Sequence, residues 1–222
     1  MLYTLFSLIV LGLLLGLKHA LDSDHIVAIS TIVSQTRNLK KSSLFGAFWG
    51  IGHTTALLLI GLAILILKLN IPKEIALSFE FLVGIVLILL GFNLLGKSIG
   101  MHLHKHKHGN NAHSHFHSHE GPHHHMHKSF AVGMVHGLAG SAALMLLVLA
   151  TVKSILQGLL FILVFGAGSI LGMLIISTLI GIPFVLTSKF SKLNNLIRIL
   201  SGAISVLLGL ATIYGIGFVG QL

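Results

Sequence analysis

Six stretches of this chain are each apolar enough, over about 20 residues, to cross the hydrocarbon core of a bilayer as a helix. In that solvent no water satisfies a backbone amide, so each stretch has to close its hydrogen bonds within itself. The expected spans are Leu2 to Val33, which is long and interrupted, Leu44 to Leu67, Ile75 to Leu95, Phe130 to Val152, Leu156 to Leu179 and Leu196 to Val219. With 55% hydrophobic and 9% charged residues, 222 residues could not assemble as a water-soluble domain. The expected fold class is therefore an all-α integral membrane protein with about six transmembrane helices.

Positive charge orients it. Arg37, Lys40 and Lys41, the loop from Lys97 to Lys128, and Lys189 with Lys192 alternate with connections poorer in Lys and Arg. By the positive-inside rule these loops are cytoplasmic and both termini lie outside, with the cell membrane as the location. The formal net charge of +9 is then a topological signal with some attraction for anionic lipid, and no nucleic-acid partner is expected. No Lys or Arg precedes the first apolar run and no small-residue cleavage pattern follows it, so a removable leader is not expected. Without a cysteine the chain can form no disulfide, thiol relay, Cys-ligated zinc site or iron–sulfur cluster.

The chain also repeats itself. Gly16-Leu-Lys-His19-Ala-Leu21 resembles Gly133-Met-Val-His136-Gly-Leu138, and Phe45-Gly-Ala47 with Gly52 resembles Phe165-Gly-Ala167 with Gly172. Leu82-Val-Gly84 with Leu90-Gly91 resembles Leu200-Ser-Gly202 with Leu208-Gly209, and the three offsets are 117, 120 and 118 residues. The expected organisation is a first three-helix repeat (1–99), a His-rich cytoplasmic linker (100–128) and a second three-helix repeat (129–222). An odd number of crossings per half inverts the second against the first, the arrangement in which transporters place a substrate site between the halves near the midplane.

Directly after the first apolar run stands GLKHALDSDHIVA, residues 16 to 28. On a continuous helix His19, Asp22 and His25 form one inclined row and Asp24 points elsewhere; a break in the helix lets all four converge. Two ionised carboxylates at membrane depth cost about 2.5–3.5 kcal/mol each on insertion scales, more than a structural convenience justifies. The alternative is a helix end at headgroup level, with Lys18 snorkelling or pairing with an aspartate. Imidazole with carboxylate suits nickel, cobalt, zinc or copper(II), and nickel in particular where the site is square-planar or tetragonal. Repeat symmetry adds His53, His136, the counterpart of His19, and Met173, the counterpart of His53. The expected metal-binding residues are His19, Asp22, Asp24, His25, His53 and His136, with Met173 a weaker candidate. Gly12/Gly16, Gly46/Gly50, Gly133/Gly137 and Gly168/Gly172 are GxxxG pairs, which allow close helix approach beside these positions.

HALDSDHI (His19 to Ile26) resembles the signature of the nickel/cobalt transporter (NiCoT) family and its smaller nickel permease and efflux relatives. Gly52-His53-Thr54 resembles that family's second motif. The resemblance covers mainly the first two helices. It implies a polytopic permease for Ni²⁺ or Co²⁺ in which His19, Asp24 and His25 are essential, with Asp22 carried over in the same stretch. Lys18 stands where the family usually has arginine, about six spans replace about eight, and the longer permeases' remaining acidic motifs are absent from the second half.

Gly91-Phe-Asn-Leu-Leu-Gly96-Lys97-Ser98 fits GxxxxGK[ST], but apolar residues at the end of a membrane helix with no preceding strand make it a chance match to a phosphate-binding loop. The segment from Met101 to Lys128 holds 12 of the 16 histidines, has no apolar periodicity, and reads as a mobile cytoplasmic metal buffer or a plain linker. The function expected is transport of a divalent transition metal, Ni²⁺ or Co²⁺, by import, with no enzyme activity and no resident cofactor. The alternatives are efflux by proton exchange and a non-transporting membrane haem or metal-sensing protein. The expected partners are the metal ions and the bilayer, joined by further copies of the chain or accessory metal-handling proteins.

Overall fold

The computed structural model describes residues 2–67, 72–99, 104–108, 111–115, 126–139 and 154–219. The first apolar stretch is two helices, α1 (Leu2–His19) and α2 (Ser23–Val33), meeting at a bend of 57°. Then come α3 (Leu39–Leu67), α4 (Lys73–Ser98), α5 (126–139), α6 (Ile155–Leu186) and α7 (Ser191–Val219). Among the described residues four of these are long and apolar enough to cross a membrane alone, and the α1–α2 pair makes a fifth if it is one broken span. This is a multi-pass membrane protein. The expected span Phe130 to Val152 is helical as far as residue 139, and its remainder lies outside the described residues.

Within the histidine segment, β1 (His104–His108) pairs antiparallel with β2 (Asn111–His115), setting His104 opposite His115 and His106 opposite His113. Residues 104–108 alternate with period two, His-Lys-His-Lys-His, the periodicity of a strand. The GxxxxGK[ST] stretch is continuous α4 helix, with Gly91 packed against Gly202 and Val206, and makes no loop to cradle phosphate.

Glycine sets how the helices meet. A Cβ on Gly16 would collide with the Phe165 carbonyl, on Gly46 with that of Met173, on Gly52 with that of Phe130 and on Gly133 with that of Trp49. These contacts bring α1 against α6, α3 against α6, and α3 against α5, with backbones closer than any side chain would permit. Between α4 and α7 the contacts are reciprocal. Gly84 faces the Gly209 carbonyl and Ile213 while Gly202 faces the Gly91 carbonyl and Leu95; Gly91 faces Val206 while Gly209 faces Ile88. Ser205 adds a hydrogen bond from Oγ to the Leu87 carbonyl at 2.7 Å. Trp49, Ile29, Val33 and Leu87 are fully buried in the centre of the bundle. Leu196, Leu200, Ile204 and Leu207 are exposed along α7, as expected of a surface solvated by lipid.

Candidate metal centre

The break between α1 and α2 is the structural event that builds the site. Asp22 is the N-cap residue of α2, with extended backbone (φ −61°, ψ 143°), yet its carboxylate makes no capping bond. It turns back instead and accepts a hydrogen bond from Nδ1 of His19 at 2.6 Å. Asp24 lies in the first turn of α2, where the helix dipole favours a carboxylate, with Oδ1 3.6 Å from Nδ1 of His25. At 1.5 Å per residue, Ser23 stands about 15 Å from Val33 along α2, and His53 about 21 Å from Leu39 along α3.

His53 comes to the break from α3. Its Nε2 is 3.2 Å from Nε2 of His19, and the ring centroids of His19 and His53, His25 and His53, and His19 and His25 lie 5.0, 5.1 and 4.7 Å apart. One nitrogen from each of His19, His25 and His53 falls within 4.8 Å of the others, and Asp22, Asp24 and His25 form a second such group. His25 belongs to both. The first group is the more buried, with His25 and His53 enclosed, while Asp22 and Asp24 are 49% and 35% exposed.

His136 arrives from α5, admitted by Gly133 and Gly137 against the Trp49 and His53 backbone. Its ring lies 5.4 Å from His25 and 4.7 Å from Trp49, so it flanks the trio on the His25 side. Nδ1 of His136 donates to the Val132 carbonyl at 3.0 Å, and since a carbonyl can only accept, Nε2 is left as a bare lone pair. That Nε2, Nδ1 of His25 and Nδ1 of His53 are all buried and without a hydrogen-bond partner. Buried polar atoms ordinarily find partners, and imidazole nitrogens that keep a free lone pair are donor atoms of the kind a transition metal binds.

All six expected residues gather at this place, with His136 outside the two close groups. Met173 belongs to the buried apolar cluster that includes Ala20 and Trp49. Sequence reading missed Trp49 and Phe165, which wall the site by contact with His25 and His136 and with His19 respectively. The available signal for Trp49 was its place one turn before His53, on the same face of α3.

The family described as "Cytochrome C biogenesis protein transmembrane region" matches residues 7–211. The urease accessory protein UreH of Bacillus sp. (strain TB-90) is 44% identical over 215 residues, 96% of this chain and 93% of that one. Two proteins of Arabidopsis thaliana, Chloroplast protein FOR GROWTH AND FERTILITY 2 and 1, are 27% and 26% identical over 91% of this chain, which spans 55% and 57% of their lengths. No solved structure matches the chain.

Proposed function

The chain belongs to the family described as cytochrome c biogenesis protein transmembrane region and shares nearly its whole length with a urease accessory protein, and from this premise we propose that it imports a divalent transition metal across the cell membrane. Nickel is the foremost cargo and cobalt the second. Urease is a nickel enzyme, which gives a protein related to one of its accessory proteins a reason to handle nickel. The organisation proposed with it is two inverted three-helix repeats, supported by the reciprocal glycine contacts of α4 and α7. In this reading the chain is a NiCoT-like permease and has no enzyme activity.

The observation that carries the reading is the 3.2 Å between Nε2 of His19 and Nε2 of His53 beside the unpartnered nitrogens of His25 and His136. Two nitrogens bound at about 2.0–2.1 Å to one metal stand roughly 2.9–3.4 Å apart between square-planar and tetrahedral angles. Asp22 and Asp24 together carry two negative charges, which one divalent cation cancels. The ion meets the half-exposed pair Asp22 and Asp24 first, and His25, common to both groups, passes it to the enclosed trio. Inward movement of a doubly charged ion gains about 4.6 kcal/mol per 100 mV of membrane potential, so import needs no ATPase.

The family's description brings a haem protein back as the second reading. Histidines on opposite sides of a haem iron would have their nitrogens about 4 Å apart in line, farther than His19 and His53 stand, and a thiol relay has no cysteine to use. The test is purified protein in lipid vesicles enclosing a metal-sensitive dye, challenged in turn with Ni²⁺, Co²⁺ and Zn²⁺. The expected result is a dye response to Ni²⁺ and Co²⁺ that His25→Ala abolishes. A visible haem absorption band with no dye response would replace this reading with the second.

A further inference from the structure

At the end of the bundle where α2 and α4 finish and α7 begins, positive charge has no counter-charge among the described residues. Arg198, in the third turn of α7, has its Nε buried and without a hydrogen-bond partner, and the charge acting on it is another guanidinium, that of Arg37. Lys97 joins them. Gly91 and Leu95 of α4 pack against Gly202 of α7, so the antiparallel register brings Lys97 level with Arg198. The ammonium of Lys97 is held by a neutral acceptor, Oε1 of Gln35, at 2.9 Å, two residues from Arg37.

No carboxylate comes near among the described residues. Asp22 and Asp24 are at the α1–α2 break, while Glu74 and Glu80 are in the opposite half of α4. His19 pairs with Asp22 and His25 with Asp24, both at the α1–α2 break. Two guanidinium groups that act on each other repel, with an ammonium level with them on α4, and a half-buried guanidinium with an idle N–H has a directional donor to offer. Arginine's planar fork matches phosphate oxygens, and basic pockets between membrane helices on the cytoplasmic side are where anionic headgroups settle.

We propose that Arg37, Lys97 and Arg198 form a receptor for a single phosphate group. Its sources are the headgroup of an anionic phospholipid at the same depth and a soluble phosphate in the cytoplasm. Such a group ties the ends of α2, α4 and α7 together, which makes the bundle's stability depend on an anion that has no part in metal binding.

The full chain is purified in neutral detergent and examined by native mass spectrometry and thermal melting with added phosphatidylglycerol, phosphatidylcholine or inorganic phosphate. Retention of one phosphatidylglycerol and a higher melting temperature are expected, lost at least tenfold in affinity in Arg37→Gln and Arg198→Gln. Lys192→Gln, an exposed cation at the start of α7, should keep both effects. Arg37 is exposed, so its substitution leaves the fold intact should Arg198→Gln fail to assemble. Protection by inorganic phosphate equal to that by phosphatidylglycerol assigns the receptor to soluble phosphate; protection by the lipid alone assigns it to the headgroup. Equal losses in all three variants would mean diffuse charge and would overturn the receptor. So would a phosphate effect seen only after Glu120→Gln, since the linker carboxylate would then already hold the place.

Discussion

Asp22 occupies a capping position without capping, and its carboxylate holds His19 by Nδ1. That bond fixes the tautomer in which Nε2 of His19 faces the site, the way carboxylates orient metal-bound imidazoles from behind. Asp22→Ala should weaken Ni²⁺ binding by about 10–100-fold and Asp22→Asn by less, since an amide oxygen still accepts the bond. Isothermal titration in detergent measures both, and unchanged affinity in Asp22→Ala would reduce this residue to a turn former. Protonation acts on the same atoms. A protonated imidazole has no lone pair, so binding should be strongest at high pH and fall as acid protonates the rings. Affinity that does not fall on acidification would exclude imidazole ligands. Residue types and spacing made His19, Asp22, Asp24 and His25 legible as a group before any fold was known. What Asp22 does was not legible, because it depends on where the helix breaks.

The helices themselves were read from hydropathy, and their ends were missed for identifiable reasons. The reading stops α6 at Leu179, whereas the helix continues through Pro183 to Leu186. Proline removes one backbone bond and would normally end the helix there. Here the turn is secured from outside: Thr187 Oγ1 donates to the Pro183 carbonyl at 2.7 Å, and Asn194 Nδ2 donates to the Phe184 carbonyl and to Thr187 Oγ1, both at 2.9 Å. Those partners come from beyond the helix, where local hydropathy cannot see them. Glycine supplies a test of helix approach. Gly16→Ala and Gly133→Ala put a methyl group into a facing backbone carbonyl and should cost about 1–3 kcal/mol of overpacking. For a chain of this length that is a melting temperature lower by roughly 2–12 °C. Gly96→Ala and Gly215→Ala meet nothing within 4 Å and should be neutral or gain up to about 1 kcal/mol of helix propensity. Equal melting temperatures for all four variants would refute close approach as the role of Gly16 and Gly133.

Across the whole molecule, one of the three sequence matches, Leu82-Val-Gly84 and Gly91 with Leu200-Ser-Gly202 and Gly209 at an offset of 118 residues, picks out glycines that face one another between α4 and α7. The pairing of β1 with β2 in the histidine segment was not foreseen, since a run without apolar periodicity gives no burial signal. Deleting His102 to His127 and bridging with a flexible linker should leave Ni²⁺ uptake by vesicles within about twofold, because none of the candidate ligands lies there. Loss of uptake in a well-inserted deletion would make the segment part of the transport path.

The unpartnered nitrogens of His25, His53 and His136 also bear on how long the protein lasts in a cell. An ion that satisfies them binds the folded chain and not the unfolded one, adding about 2.7 kcal/mol of stability at a hundred times its dissociation constant. On the proposed function, nickel would then protect the chain that carries it from quality-control proteases, and a starved cell would clear the idle copies sooner. Pulse-chase half-lives with and without nickel should differ in the wild type and converge in His25→Ala. Supply and abundance would be coupled by folding alone, with no transcription factor in the circuit.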